Sequence, residues 1–449
     1  MSSYDVVICG AGIAGVAAAD ALTARGASVL LVDERPPLSL TSDKSSECYR
    51  NWWPGPDNAM VALMNRSIDH IEALARETQN AIALNRRGYL YVTTDPAQTA
   101  QLQQAGETAA ALGAGPLRTH VRPDTYTPSI AHGFDGQPDG ADLILDRATL
   151  RRFFPCLADA TVAALHVRRC GWLSAQQLGM TLLEQARRRG AHLAHARVEA
   201  VEVQDGRVSA VQLDSRRVVT GGFVNAAGPF LRRVGRMVGV DLPVFSERHL
   251  KVAFEDHLGI IPRDAPLLIC ADPQAIAWTD DERAMLADDP EAQSLLDVLP
   301  AGAHCRPEGG IGSTWVIALW AYDAAPVEET FPLPAAPYFF DVTLRGLTRI
   351  IPALEAYIHR PPRPTIDGGY YTKTRENRPL IGPAGPRGSF VMGAFSGYGI
   401  MAACGAADVL AAYISGEALP AWAAAFHPAR YDDPAYRALL DTWNDTGQL

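Results

Sequence analysis

The sequence predicts an α/β chain of 449 residues. One domain carries a parallel sheet covered by helices, and a second, discontinuous domain is of α+β type with an antiparallel sheet. Three observations predict it. An apolar run, Asp5–Cys9, turns on glycine into an alanine-rich helix and returns as a second apolar run, "SVLLV". The same order of strand, small-residue turn and helix recurs at "FVNAAGPF" and at "SFVMGAFSGYGIMAACGAADVLAAYI". Between these returns lie proline-containing, aromatic, strand-like runs such as "HLKVAFE" and "TWVIALWAY".

The first unit, "DVVICGAGIAGVAAADALTARGASVLLVDE", spaces Gly10, Gly12 and Gly15 as G-x-G-x-x-G directly between strand and helix. Gly10 permits the tight turn, Gly12 lets the backbone approach a pyrophosphate, and Gly15 lets the helix lie close to the strand. Ile13 and Ala14 then open the helix, whose N-terminal dipole end favours phosphate. Asp33, followed by Glu34, ends the second strand where a carboxylate can accept bonds from ribose hydroxyls. Glycines, strands, helix and acid agree, so this domain reads as Rossmann-like and dinucleotide-binding.

Further along, "DNAMVALMNRSIDHIEALARET" has helical periodicity and "GYLYVTT" reads as a strand. Residues 113–142, rich in Gly, Pro, Thr and Asp, read as loops. A helix over Ser174–Arg189 stops at Gly190, and short strands follow with turns at "QDGR" and "DSRR". The strand Gly222–Asn225 then revisits the nucleotide-binding sheet.

Composition narrows the function. A net charge of −10 without Lys or Arg runs argues against nucleic acid or an anionic membrane as a partner. The apolar helix Ile400–Ile414 contains Asp408 and is short for a bilayer. The start of the chain shows no basic leader ahead of its first core strand, which predicts a cytoplasmic protein. Seven scattered cysteines without C-x-x-C spacing, and eleven histidines without a ligand array, predict neither a disulfide framework nor a metal site.

The segments "GAGIAGVAAADALTARGASVLLVDE", "GW…LLEQARRRGA", "NAAGPF…VGVDLPV" and "TRENRPLIGP…GSFVMGAFSGYGI", in this order, resemble the FAD-dependent D-amino acid oxidase, glycine oxidase and sarcosine oxidase family along nearly the whole chain. The resemblance implies an FAD-binding domain from residues 1–75, 145–240 and 365–449, and a substrate domain from residues 76–144 and 241–364. An extended FAD also accounts for a third glycine turn far from the first. The resemblance implies that Gly10 to Gly15 meet the pyrophosphate and that Asp33 and Glu34 lie at the ribose. Thr41, Ser42, Ser45 and Ser46 would line the ribityl and phosphate side. Val198, Ala227, Gly228 and Gly393 would line the remainder, and Gly397, Tyr398, Gly399, Ile400 and Met401 would meet the flavin. Two departures matter. Gly369 stands where sarcosine oxidases carry the cysteine that binds flavin covalently, which predicts non-covalent FAD. Ser396, Tyr398 and Met401 occupy the turn where relatives place a carboxylate-binding Lys or Arg.

Flavin oxidation of an amine asks the protein to place a C–H bond, keep the amine neutral and hold the rest of the substrate. The polar candidates are Lys44 and Arg50 in the loop after the second strand, with Arg50 suited to a carboxylate by its planar fork. Neutralising the FAD pyrophosphate is the competing role for Arg50. In "ERHLKVAFE", His249 and Lys251 share one strand face, where His249 could handle a proton and Lys251 could promote oxygen reduction. Tyr371 and Tyr398 are further pocket candidates, with Trp52 and Trp53 as walls. The expected function is oxidation of an amine or amino-acid C–N bond, secondary and N-methyl amines included, by hydride transfer to flavin N5 to give an imine. Oxygen or another acceptor then takes the electrons, in a monomer or homodimer. The alternatives are a 2-hydroxy acid dehydrogenase and a flavin subunit of a larger oxidoreductase.

Overall fold

The computed structural model describes residues 3–310, 312–443 and 447. Residues 1–2, 444–446 and 448–449, at the ends of the expected FAD-binding ranges, lie outside the described part.

Two large sheets organise the chain. In the first, the strands Ser389–Gly393, Arg217–Asn225, Ser3–Cys9, Val29–Asp33 and His192–His195 run parallel in that spatial order. The strand Arg217–Asn225 uses one edge twice. Its first residues pair antiparallel with Ala210–Gln212, and Phe223–Asn225 pair parallel with Ser389–Val391. Successive strand residues face opposite sides. Val6, Ile8 and Leu31 therefore pack under the helices Ile13–Ala24, Ala59–Glu77, Ala175–Arg188 and Gly399–Ser415, while Val7 and Leu30 pack against the hairpin strands around Val201 and Val211.

The second sheet has ten strands, and its spine is the long strand Phe245–Glu255. That strand pairs antiparallel with Thr365–Lys373 over nine residue pairs, Phe245↔Lys373 to Ala253↔Thr365. The sheet is mainly antiparallel, but Tyr89–Val92 run parallel to Leu267–Cys270, and Leu117–His120 parallel to Ala141–Ile144. Leu117–His120 and the first two residues of Ala141–Ile144 fall within residues 113–142, expected as loops: their β character comes from sheet pairing and not from a strong local pattern. Ala163–Val167 and Thr365–Lys373, which the sequence reading assigns to the FAD-binding ranges, also pair into this sheet.

The two sheets meet along Thr365–Lys373. The Thr41 hydroxyl donates to the Tyr370 carbonyl at 3.0 Å, and the Ser396 amide donates to the Thr372 carbonyl at 2.9 Å. Among the described residues no helix is long and apolar enough to cross a membrane, and no cluster of His, Cys, Asp and Glu could hold a metal ion.

Candidate active site

The glycine turn is built by close approach. Gly10 sits at φ +107°, and a Cβ there would lie 2.4 Å from the Ala226 carbonyl oxygen. A Cβ on Gly15 would lie 1.8 Å from the Gly10 carbonyl oxygen, so helix and strand are in backbone contact. Gly12 is the N-cap of the helix, has no side chain to cap it, and has only the Ser42 hydroxyl oxygen near its Cβ position, at 3.3 Å. That hydroxyl accepts the Ile13 amide at 3.0 Å. The helix Gly399–Ser415 likewise starts with no side-chain cap and no acidic residue in its first turn. Neither helix is capped by the side chain of its own N-cap residue; at the first the Ser42 hydroxyl takes only the Ile13 amide, so both helix starts keep backbone donors for a ligand.

Both helix starts line one cavity of about 200 Å³. Of the residues expected at the cofactor, Gly10, Gly12, Ile13, Ala14, Asp33, Glu34, Thr41, Ser42, Ser45, Val198, Ala227, Gly228, Gly393, Gly397, Gly399 and Ile400 line it. Gly15 does not, because it is spent on helix packing. Ser46, Tyr398 and Met401 line a second cavity instead. Two helix N-termini, one of them built on the glycine cradle, lining one cavity fit a dinucleotide that carries a pyrophosphate and an electron-accepting ring.

Asp33 has a structural role besides its place in the cavity lining. One carboxylate oxygen accepts the Ala11 amide at 2.7 Å and the other the Arg35 amide at 2.9 Å, so it holds the glycine turn as well as facing the cavity. Arg35, which sequence reasoning missed, pairs with Glu34 at 2.8 Å and lies over the Phe230 ring at 5.5 Å on the cavity wall. Asp33→Ala is expected to weaken FAD retention by about 1.5–3 kcal/mol while the fold survives. Equilibrium dialysis of FAD against wild type and variant measures it, and equal retention would move the role to Glu34.

The second cavity, about 70 Å³, shares Tyr371 and Gly397 with the first. A Cβ on Gly397 would lie 2.4 Å from the Tyr371 ring, so this glycine lets the ring stand between the two spaces. Arg50, His249, Tyr371 and Tyr398 all line this second cavity. Arg50 is buried, its guanidinium lies over Trp53 at 4.6 Å, and it donates to the Tyr91 hydroxyl at 3.0 Å and to the Gly447 carbonyl. The His249 ring stacks on Tyr371 at 4.0 Å, and its Nε2–H donates to Glu247 at 3.0 Å. Lys373 donates to the same carboxylate oxygen at 2.9 Å. Burial opposes ionisation of Glu247, but those two bonds outweigh it and hold the carboxyl below its usual range. Burial pushes the Tyr371 phenol up to about 12, which leaves it protonated at neutral pH. Tyr398, also raised by burial, donates to the Asn377 carbonyl at 2.8 Å. Trp53 is a wall, whereas Trp52 is not part of the lining.

The two lysines are not brought into this group. Lys44 forms ion pairs with Asp43 at 2.7 Å and Asp367 at 3.0 Å and lines neither cavity. Lys251 donates to the Ser45 carbonyl at 3.0 Å and the Asp43 carbonyl at 3.4 Å, and burial lowers its pKa. Although it shares a strand face with His249, two residues of extended chain carry it past the cavity edge. His304, Trp320 and Tyr89 line the second cavity and were not anticipated. His304 sits in the strand His304–Pro307, within the stretch "AHCRP", where no motif singles it out.

Comparison with known proteins adds to this geometry. The sequence pattern of a family described as FAD dependent oxidoreductase, DAO, matches residues 5–413. Monomeric sarcosine oxidase of Streptomyces avermitilis is 25% identical over 319 residues, which span 68% of this chain and 72% of that protein. L-proline dehydrogenase from P. horikoshii superposes with a TM-score of 0.73 at 20% identity, covering 96% of this chain and 98% of that one. Glycine oxidase from Geobacillus kaustophilus gives 0.73 at 17% identity, covering 96% and 99%. At these identities the two solved structures share the fold.

Proposed function

The chain belongs to the FAD dependent oxidoreductase (DAO) family, and from that premise we propose that it oxidises the carbon–nitrogen bond of a small amine or amino acid bearing an anionic group. The observation that carries the reading is the second cavity. Arg50 is the only Lys or Arg side chain in its described lining, no Asp or Glu is among the lining residues, and Tyr371 and Gly397 join it to the dinucleotide cavity. A fixed cation in an otherwise neutral, aromatic space selects an anion, and its position one ring away from the larger cavity sets the substrate beside the cofactor.

Residues of the glycine turn, the Thr41–Ser45 loop and the Gly397–Ile400 turn would hold FAD. The chemistry FAD supplies is acceptance of a hydride at N5 from the carbon next to nitrogen, which leaves an imine that water hydrolyses. The protein's own work is placement. Arg50 holds the anionic group, the Trp53 ring supports the face of its guanidinium, and the Tyr371–His249 stack, fixed through Glu247 and Lys373, forms a rigid wall. Leu250, Leu267, Leu319 and Trp320 keep the remaining space apolar.

The test is anaerobic mixing of the yellow protein with N-methyl, cyclic and primary amino acids and with 2-hydroxy acids. Bleaching by one of the amines is expected, and acid precipitation of the same sample should leave FAD in the supernatant. Gly369 has no thiol, lies outside the cavity lining and has Thr41 Cα 3.2 Å from its Cβ position. Bleaching by hydroxy acids alone would overturn the C–N reading. Colour retained on the precipitate would overturn non-covalent attachment.

A further inference from the structure

Within that reading, we propose that His304 is the group that holds the substrate's nitrogen, its Nε2 lone pair accepting an N–H of the amine while Arg50 holds the anionic end. The ring belongs to the second cavity with Arg50 and His249. Its Nδ1 lies 2.7 Å from the Gly302 carbonyl oxygen, which can only accept. The proton therefore sits on Nδ1, and Nε2 carries a lone pair. Nε2 makes no hydrogen bond to any described residue, and it is not a buried orphan. A histidine only 7% exposed with one satisfied and one unsatisfied nitrogen has an acceptor left over for a ligand.

The acceptor is a durable one. Burial, with the neighbouring charges of Arg50 and Arg306, brings the His304 pKa down to about 4, so the ring stays uncharged over the range in which the enzyme would work. A base that weak does not strip a proton from an ammonium group. It serves as a neutral partner that aligns an amine N–H. His249 cannot take this part with the same nitrogen, since its Nε2–H is committed to Glu247. The cavity thus sets a fixed cation and the neutral acceptor of His304 together, a pair that matches an amino acid rather than a simple carboxylate.

Binding, read without turnover, tests the assignment. The probes are sarcosine, L-proline and glycine, each against the carboxylate in which carbon replaces nitrogen: butyrate, cyclopentanecarboxylate and propionate. Affinities are taken from perturbation of the flavin spectrum under anaerobic conditions. His304→Phe keeps a flat ring without an acceptor and should weaken at least one amino acid roughly tenfold, the effect of one lost hydrogen bond. The matching carbon analogue should change less than about twofold. His304→Gln restores an acceptor and should recover most of the amino-acid affinity, and it carries the test if the phenylalanine variant fails to fold. Equal weakening of amino acid and analogue, or no weakening of either, would overturn the proposal. So would carbon analogues that bind the wild type where no amino acid does. A flavin that stays oxidised while the amino-acid preference holds counts against the proposed oxidation alone.

Discussion

Replacing Arg50 by alanine is expected to leave FAD bound and to raise the substrate concentration needed for flavin reduction by a factor corresponding to about 2–5 kcal/mol, because a desolvated charge partner is removed. The structural basis is the separation of the two cavities: Arg50 lines only the second. Its two terminal nitrogens bond to the Tyr91 hydroxyl and the Gly447 carbonyl, and Trp53 lies beneath the plane. The guanidinium is therefore oriented before any substrate arrives. Arg50→Lys retains the charge but loses the planar fork, so its defect should fall between wild type and alanine. Rapid mixing with substrate and a flavin-to-protein absorbance ratio on the same samples make the measurement. Loss of flavin with near-normal substrate dependence in the remaining holoenzyme would instead place Arg50 at the pyrophosphate.

Gly15→Ala is expected to have the larger effect on the protein itself. The added methyl would sit 1.8 Å from the Gly10 carbonyl oxygen, and backbone at that point has nowhere to move, since Gly10 is itself pressed against the Ala226 carbonyl. Overpacking, backbone shifts included, costs about 1–3 kcal/mol and occasionally more, and a methyl 1.8 Å from a carbonyl oxygen lies at the upper end. The helix Ile13–Ala24 must lift off the sheet, which spoils the cradle at Gly12 and exposes Val16 and Ala17 from the core. The variant should be colourless, with a lowered melting temperature. Gly12→Ala is the control, as its methyl would meet only the Ser42 hydroxyl at 3.3 Å and should spare the melting temperature while weakening FAD. Normal colour and melting of Gly15→Ala would refute the close-packing account.

What was legible in the sequence was local. The turn at Gly10 to Gly15, the acid after the second strand and the late small-residue helix are patterns within about thirty residues, and each is specified by backbone geometry that few residues tolerate. Register and partner were not legible. Residues 113–142 contain the strand Leu117–His120 and the start of Ala141–Ile144, and these form by pairing in series: Ala141–Ile144 on the edge of Ala163–Val167, and Leu117–His120 on Ala141–Ile144. Alternation put His249 and Lys251 on one face correctly in principle, but only the position of the Ser45 carbonyl decides that the ammonium ends there. Lys44 was drawn from a loop rich in polar residues, and two aspartates, one of them 323 positions away in sequence, claim its charge. Asp33 carried a ribose expectation, whereas a carboxylate so close to the glycine turn also satisfies two backbone amides. His304 left no trace because a lone histidine in a short strand gains meaning only from what surrounds it in space.

The doubled use of one edge of the strand Arg217–Asn225 has a consequence for how the protein is made. The partner of the first strand on one edge, Val29–Val32, is synthesised soon after it, but the partner on its other edge, Val219–Asn225, comes about two hundred residues later, and the partner of that strand, Ser389–Val391, later still. At about 5–20 residues per second, the interval between the first strand and the last is roughly 20–80 s. Through that time the glycine cradle is half walled, and the residues that close its far end are not yet synthesised. Closure of the nucleotide site is therefore an event of the finished chain, in which the last-made of the lining residues, Gly393 to Ile400, complete the cavity wall.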